Sequence, residues 1–147
     1  MIAVHTLCTL LSYVAFLVAF IAGGLFLVQE RQLKRKTLGV LFHRLPPLER
    51  LDRINFIAIA AGFVLLTLGL GFGFLGIHVW FGRWWIGDPK LTATVVLWVC
   101  YLGLWVLRVR ATVRGHRVAL WSMLGFTLVV FTGLAASWWL GSHHPYV

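Results

Sequence analysis

Acidic residues are nearly absent from this chain. Four Asp and Glu stand among 147 residues, and only 12% of all residues are charged, against about a quarter in soluble domains. Cysteine is equally scarce: Cys8 and Cys100 provide no disulfide framework and no paired-Cys metal spacing, and there is no C-x-x-C-H, so the chain is not a c-type cytochrome. What fills the sequence instead is apolar, 61% of residues with a mean hydropathy of +0.91, which excludes an ordinary cytosolic globule. Thirteen Lys and Arg leave a net charge of +9. In a soluble protein that excess suggests nucleic acid; in a membrane chain it marks topology.

Crossing a hydrocarbon core of about 30 Å takes about 20 apolar residues. Residues 6–28, 54–77, 91–107 and 118–140 reach or approach that length without a charged side chain. The third is the shortest, and its Trp98 and Trp105 are bulky rather than polar. The first lacks a basic n-region and precedes a basic cluster, so it reads as a retained helix and not a signal peptide. Pro46 and Pro47 break the chain before the second helix, because proline disfavours helix at the residue preceding it, and Asp52 is expected to cap that helix. Gly71, Gly73 and Gly76 spell G-x-G-x-x-G inside a span, where no strand precedes them as dinucleotide binding requires. Gly69 and Gly73 make a G-x-x-x-G, and with Gly62 and Gly76 they read as a lean helix-packing surface. The expectation is an all-α polytopic membrane protein of four transmembrane helices, one domain over residues 1–147.

The basic residues orient it. Seven lie between residues 29 and 53, and Arg108, Arg110, Arg114 and Arg117 fill the third connection, leaving Arg83 and Lys90 in the second, a split of 11 against 2. Basic loops face the cytoplasm, so both termini and the 78–90 loop are expected outside, and the nucleic-acid reading falls away. The histidines sort with them. His43 and His116 lie in the cytoplasmic loops, whereas His5, His78, His143 and His144 gather on the outer surface.

The 78–90 loop holds Trp80, Phe81, Trp84 and Trp85, with Gly82 and Gly87 as hinges and Arg83, Asp88 and Lys90 as its charges. For any one Trp the ordinary reading is an interfacial belt. Together they suit a flat apolar macrocycle with two carboxylates, which needs aromatic faces to stack on and cations for its propionates. Neutral imidazole is an axial ligand for haem iron, and His5 with one of His143 or His144 is the natural pair. No hydrolase constellation is present, so an independent enzyme is not expected. Cys8 and Cys100 read as small apolar fillers.

At this point the chain resembles the haem-handling membrane proteins of cytochrome c assembly, of the CcsA, ResC and CcmC type, with HemX-type proteins as relatives. The likeness runs through His5, Leu11-Ser12-Tyr13, Leu51-Asp52, Gly62-Phe63 and Thr67. It is most specific at Phe81-Gly82, Trp85 and Asp88-Pro89-Lys90. Thr92, Trp98, Leu124-Gly125-Phe126 and His144-Pro145-Tyr146 complete it. It spans nearly the whole chain, as the last four helices of a usually longer protein. The resemblance implies that His5 and His144 are axial ligands of a non-covalent, b-type haem on the outer face. The same resemblance makes the loop its platform, with Phe81, Gly82, Arg83, Trp84, Trp85, Asp88 and Lys90 as cofactor-binding residues. It implies a bacterial inner membrane, and the lipid bilayer, other cytochrome c biogenesis subunits and apocytochrome c as partners.

The chain departs from the pattern at Phe81 and Gly87, where the family has tryptophan, and at Val106, where synthase-type members carry an intramembrane histidine. These departures favour the alternative, a HemX-like accessory protein acting on haem biosynthesis without carrying haem. A b-type electron-transfer subunit ranks last, because the spans hold no ligating histidine.

Overall fold

The computed structural model describes residues 2–36, 44–82, 84, 89–110 and 115–141, with side chains over 3–36, 44–82, 84, 91–110 and 115–131. Among the described residues four long helices make up the fold, and no strand occurs. They are α1 (Ile2–Lys34), α2 (Leu48–Phe81), α3 (Pro89–Val109) and α4 (His116–Gly141). At about 1.5 Å per residue, the 33 residues of α1 and 34 of α2 outrun a hydrocarbon core of about 30 Å, so their ends reach headgroup depth. Three helices are long and apolar enough to cross a membrane, over Ala3–Lys34, Leu48–Phe81 and Leu91–Val109. The described side chains of α4 form a shorter apolar stretch, His116–Phe131.

The start of α2 follows from proline chemistry, as the Pro46-Pro47 pair suggested, but Asp52 is not its cap. Pro47 sits at the N-cap with φ −54° and no side-chain cap, and its carbonyl accepts from the N–H groups of Arg50 and Leu51. Proline suits this place because it lacks the N–H that a first turn would leave unpaired. Asp52 is instead one turn inside the helix, where its carboxylate takes the Arg108 guanidinium of α3 at 2.5 Å. Arg108 also lies over the Phe56 ring, 5.3 Å from its centroid.

The helices form an antiparallel ring in which α1 packs on α2, α2 on α3, α3 on α4 and α4 back on α1. The tightest seam joins α1 to α2, and it exists because α2 keeps small or amide side chains at seven-residue spacing, which holds one stripe toward a partner helix. At Asn55 the amide Nδ2 donates to the Ala19 carbonyl of α1 at 2.7 Å and to Ser122 Oγ of α4 at 2.9 Å. At Gly62 an added Cβ would lie 2.5 Å from the Phe16 ring, and at Gly69 one would lie 2.9 Å from Thr9 Oγ1. Gly73 continues the seam against His5. Gly76 does not: among the described residues nothing lies within 4 Å of where its Cβ would be, so within them it leaves the packing surface expected of it.

Phe16, admitted by Gly62, crosses the middle of the bundle to stack on Tyr101 of α3, with ring centroids 3.9 Å apart. Around that pair lie Ile59, Leu66, Leu97, Leu104, Val118 and Val129. On the α2–α3 side Phe63 stacks against both Trp98 and Trp105, and Trp98 Nε1 donates to Thr67 Oγ1 at 2.8 Å. Outward faces carry Leu7, Leu10, Ile57, Val64, Val99 and Leu124, all exposed, an apolar girdle that water would penalise and lipid accepts. Charge collects at one end. There Glu30 of α1 meets Lys34 at 2.8 Å and His116 of α4 at 2.6 Å.

Two consequences can be measured. Gly62→Ala should cost about 1–3 kcal/mol through overpacking in a detergent unfolding series, whereas Gly71→Ala, whose methyl meets nothing within 4 Å, should cost nothing; equal losses would contradict the seam. A double-mutant cycle between Asn55→Ala and Ser122→Ala should return a coupling of about 0.6 and at most about 1.7 kcal/mol, the range of interhelical hydrogen bonds in a membrane. No coupling would remove that bond.

Candidate functional site

At the end of the bundle away from the charged cluster, α1, α2 and α3 part to leave a half-open cleft of about 680 Å³, within the range of small-molecule and cofactor sites. His5, Thr9 and Tyr13 of α1 form one wall, and Gly73, Ile77, Trp80 and Phe81 of α2 another, with Leu91 and Thr94 of α3 closing the side. From His5 to Tyr13 the wall runs about 12 Å along the helix at 1.5 Å per residue. Its lining is mostly apolar and aromatic.

His5 is held at one point. Its Nδ1 and the Gly69 carbonyl are 2.6 Å apart, and because a carbonyl only accepts, Nδ1 donates. The His5 carbonyl in turn accepts from Thr9 Oγ1 at 2.7 Å, and Ser12 Oγ donates to the Thr9 carbonyl at 2.7 Å. The imidazole approaches α2 this closely because Gly73 has no side chain: a Cβ there would lie 3.1 Å from both Cε1 and Nδ1 of the ring.

The aromatic segment divides between helix and loop. α2 runs on to Phe81 instead of ending at Ile77, so Trp80 and Phe81 belong to its last turn and line the cleft. Gly82 then closes the helix in the left-handed region, φ 63°, its N–H donating to the His78 carbonyl at 2.9 Å. That conformation is open to glycine without steric cost, so the structure gives Gly82 a helix-capping job. The turn brings Trp84 onto His78, rings nearly parallel with centroids 4.1 Å apart. Neither His78 nor Trp84 lines the cleft.

Of the residues expected to hold a cofactor, His5 and Phe81 therefore share one cavity, while Gly82 caps the helix that ends at Phe81 and Trp84 stacks on His78, both outside its lining. Arg83, Trp85, Asp88, His143 and His144, and the side chain of Lys90, lie outside the described residues. Among the described residues no three His, Cys, Asp or Glu side chains converge to hold a metal ion. Thr9, Tyr13 and Gly73 are additions that reasoning from the sequence did not assign to the site, and Trp80, read there only as one of the loop aromatics, lines the cleft from the last turn of α2. The signal was present: Gly73, Ile77, Trp80 and Phe81 follow the i, i+4, i+7, i+8 spacing of one helix face, legible once the helix is extended past Ile77.

Residues 1–144 match the family described as Cytochrome C assembly protein. Among curated relatives, the cytochrome c biogenesis protein CcsA of Prochlorococcus marinus strain MIT 9515 is 28% identical over 152 residues, covering 90% of this chain and 49% of the relative. The CcsA of strain MIT 9215 is 28% identical over 155 residues, with 92% and 50% covered. That of strain MIT 9312 reaches 38% identity over 82 residues, 56% of this chain and 26% of the relative. The chain thus spans about half the length of the curated relatives it matches. No solved structure matches it.

Proposed function

The chain belongs to the cytochrome c assembly protein family, and on that premise we propose that it serves cytochrome c assembly by holding a non-covalent, b-type haem at the outer face of the bacterial inner membrane. The observation that carries the reading is the cleft itself, in which His5 stands among Trp80, Phe81 and Tyr13. Its volume, aromatic lining and single oriented imidazole suit a planar apolar macrocycle that also needs an axial nitrogen. His5 and His144 are the residues proposed to ligate its iron. Trp80 and Phe81 would give the macrocycle apolar surface, and Trp84, Trp85 and Asp88, with Gly82, are the residues proposed to hold it from the loop. Arg83 and Lys90 are the cations for the propionates.

When bound, haem supplies the iron and the porphyrin that a cytochrome c takes up. The chain's own share would be positioning: the helix walls would exclude water from the cleft, His5 would ligate, and the 78–90 loop would help to hold the group. In this reading all four helices span the bilayer with both termini outside. Lys34, Arg35, Arg108 and Arg110, which end α1 and α3 at one pole of the bundle, then face the cytoplasm as the positive-inside rule requires. Other biogenesis subunits and apocytochrome c are the proposed partners at the outer pole.

Oxidised and reduced visible spectra of the detergent-purified protein test the site. We expect a bis-histidine haem spectrum that His5→Ala and His144→Ala each abolish, and a haem affinity that Trp80→Ala lowers more than Trp84→Ala does. A protein that stays colourless when expressed with ample haem would sink the reading and leave the accessory role without haem. Topology has its own test, in a variant lacking Cys8 and Cys100. Cysteine introduced at Val79 should react with an impermeant maleimide on intact spheroplasts, and cysteine at Lys36 only after lysis; the reverse pattern would invert the protein.

A further inference from the structure

A neutral imidazole carries one proton, and which nitrogen holds it decides which nitrogen can bind a metal. In His5 that choice is made by α2. The Gly69 carbonyl lies 2.6 Å from Nδ1, and a carbonyl oxygen has two lone pairs, so it can serve its own helix and still accept a side-chain N–H. The proton therefore sits on Nδ1, and Nε2 keeps the free lone pair.

Two absent side chains make that contact possible. At Gly73 a Cβ would press on Cε1 and Nδ1 at 3.1 Å, and at Gly69 a Cβ would meet Thr9 Oγ1 at 2.9 Å. Thr9 Oγ1 itself donates to the His5 carbonyl, so a Cβ at Gly69 would press on the side chain that makes this bond. The glycine pair thus does more than let two helices touch. It sets the distance at which one helix's backbone grips a side chain of the other.

We propose that Gly69 and Gly73 are positioning residues for His5: the Gly69 carbonyl fixes the imidazole with its proton on Nδ1, Gly73 leaves the room for it, and Nε2 is the nitrogen offered to a metalloporphyrin in the cleft. The proposal rests on the haem reading above for its ligand, but the tautomer is a property of the protein alone. Partners of this kind, which hold the second nitrogen of a ligating histidine, typically change metal affinity 10–100-fold (about that range) when removed.

Nitrogen NMR of the haem-free, ¹⁵N-histidine-labelled protein, assigned with His5→Gln, reads the tautomer directly. Nδ1 should give the protonated, pyrrole-type signal and Nε2 the pyridine-type signal. Gly73→Val should erase that pattern and weaken haem binding about 10–100-fold, while Gly71→Ala leaves both unchanged. Gly73→Ala should shift both in the same direction by less, and since alanine favours helix over glycine, its thermal stability separates lost positioning from lost folding. A His5 signal with the proton on Nε2 would overturn the proposal even if haem binds. An Nδ1-protonated His5 in a protein that takes up no haem would support the grip of α2 on the ring and overturn the haem reading instead.

Discussion

Close approach of α1 and α2 is the constraint on which the rest of this molecule depends. Between helices in lipid there is no hydrophobic gain, because lipid tails are as apolar as leucine, so association rests on packing and interhelical hydrogen bonds. The seam from Asn55 through Gly62 and Gly69 to Gly73 supplies both. Each position on α2 answers one on α1: Ala19, then Phe16, Thr9 and His5. Widening it at Gly62 would push Phe16 off Tyr101, and widening it at Gly73 would push His5 off the Gly69 carbonyl. Bundle core and cleft therefore share one spacing.

The scarcity of acid has a matching explanation. The carboxylates of Glu30 and Asp52 are spent at the basic pole, where each joins two helices: Glu30 ties α1 to α4 through His116, and Asp52 ties α2 to α3 through Arg108. Cations there are abundant enough to orient the chain, and a few carboxylates are enough to draw the helix ends together. At the opposite pole the walls are aromatic and glycine-lined instead, and the helices part.

Four helices, their order and the proline break before α2 were legible from hydropathy and composition, because a bilayer demands long apolar runs and little else matches them. The lean surface at Gly62, Gly69 and Gly73 was also readable, since small residues at helical spacing have one dominant use in a membrane. Asp52 was misplaced because a carboxylate near a helix start looks the same whether it caps or pairs, and Arg108 is far away in the chain. Gly76 was misassigned because spacing names a face but not where the partner helix ends. Asn55 passed unnoticed as a single amide at the edge of an apolar run, although a polar group in such a run has to find partners. For the cleft, His5 and Phe81 were visible, whereas Thr9, Tyr13 and Gly73 were not. Trp80 and Phe81 read as loop because aromatic residues at headgroup depth look alike in helix or turn. Many residues that carry the family resemblance, including Gly62, Phe63, Thr67, Trp98, Gly125 and Phe126, prove to be helix contacts, so that resemblance speaks first to architecture.

Asn55 also gives the bundle a sequence of assembly. The hydrogen bond to Ala19 joins neighbours in a hairpin and is available as soon as α2 follows α1 into the bilayer. The bond to Ser122 waits for a residue 67 positions later. Until α4 arrives, one amide N–H of Asn55, at the edge of the apolar run, lacks the Ser122 partner it has in the finished bundle, an unfavourable state for a buried polar group. The half-built hairpin thus holds a reserved place for the last helix, and the chain's own order of synthesis closes the ring.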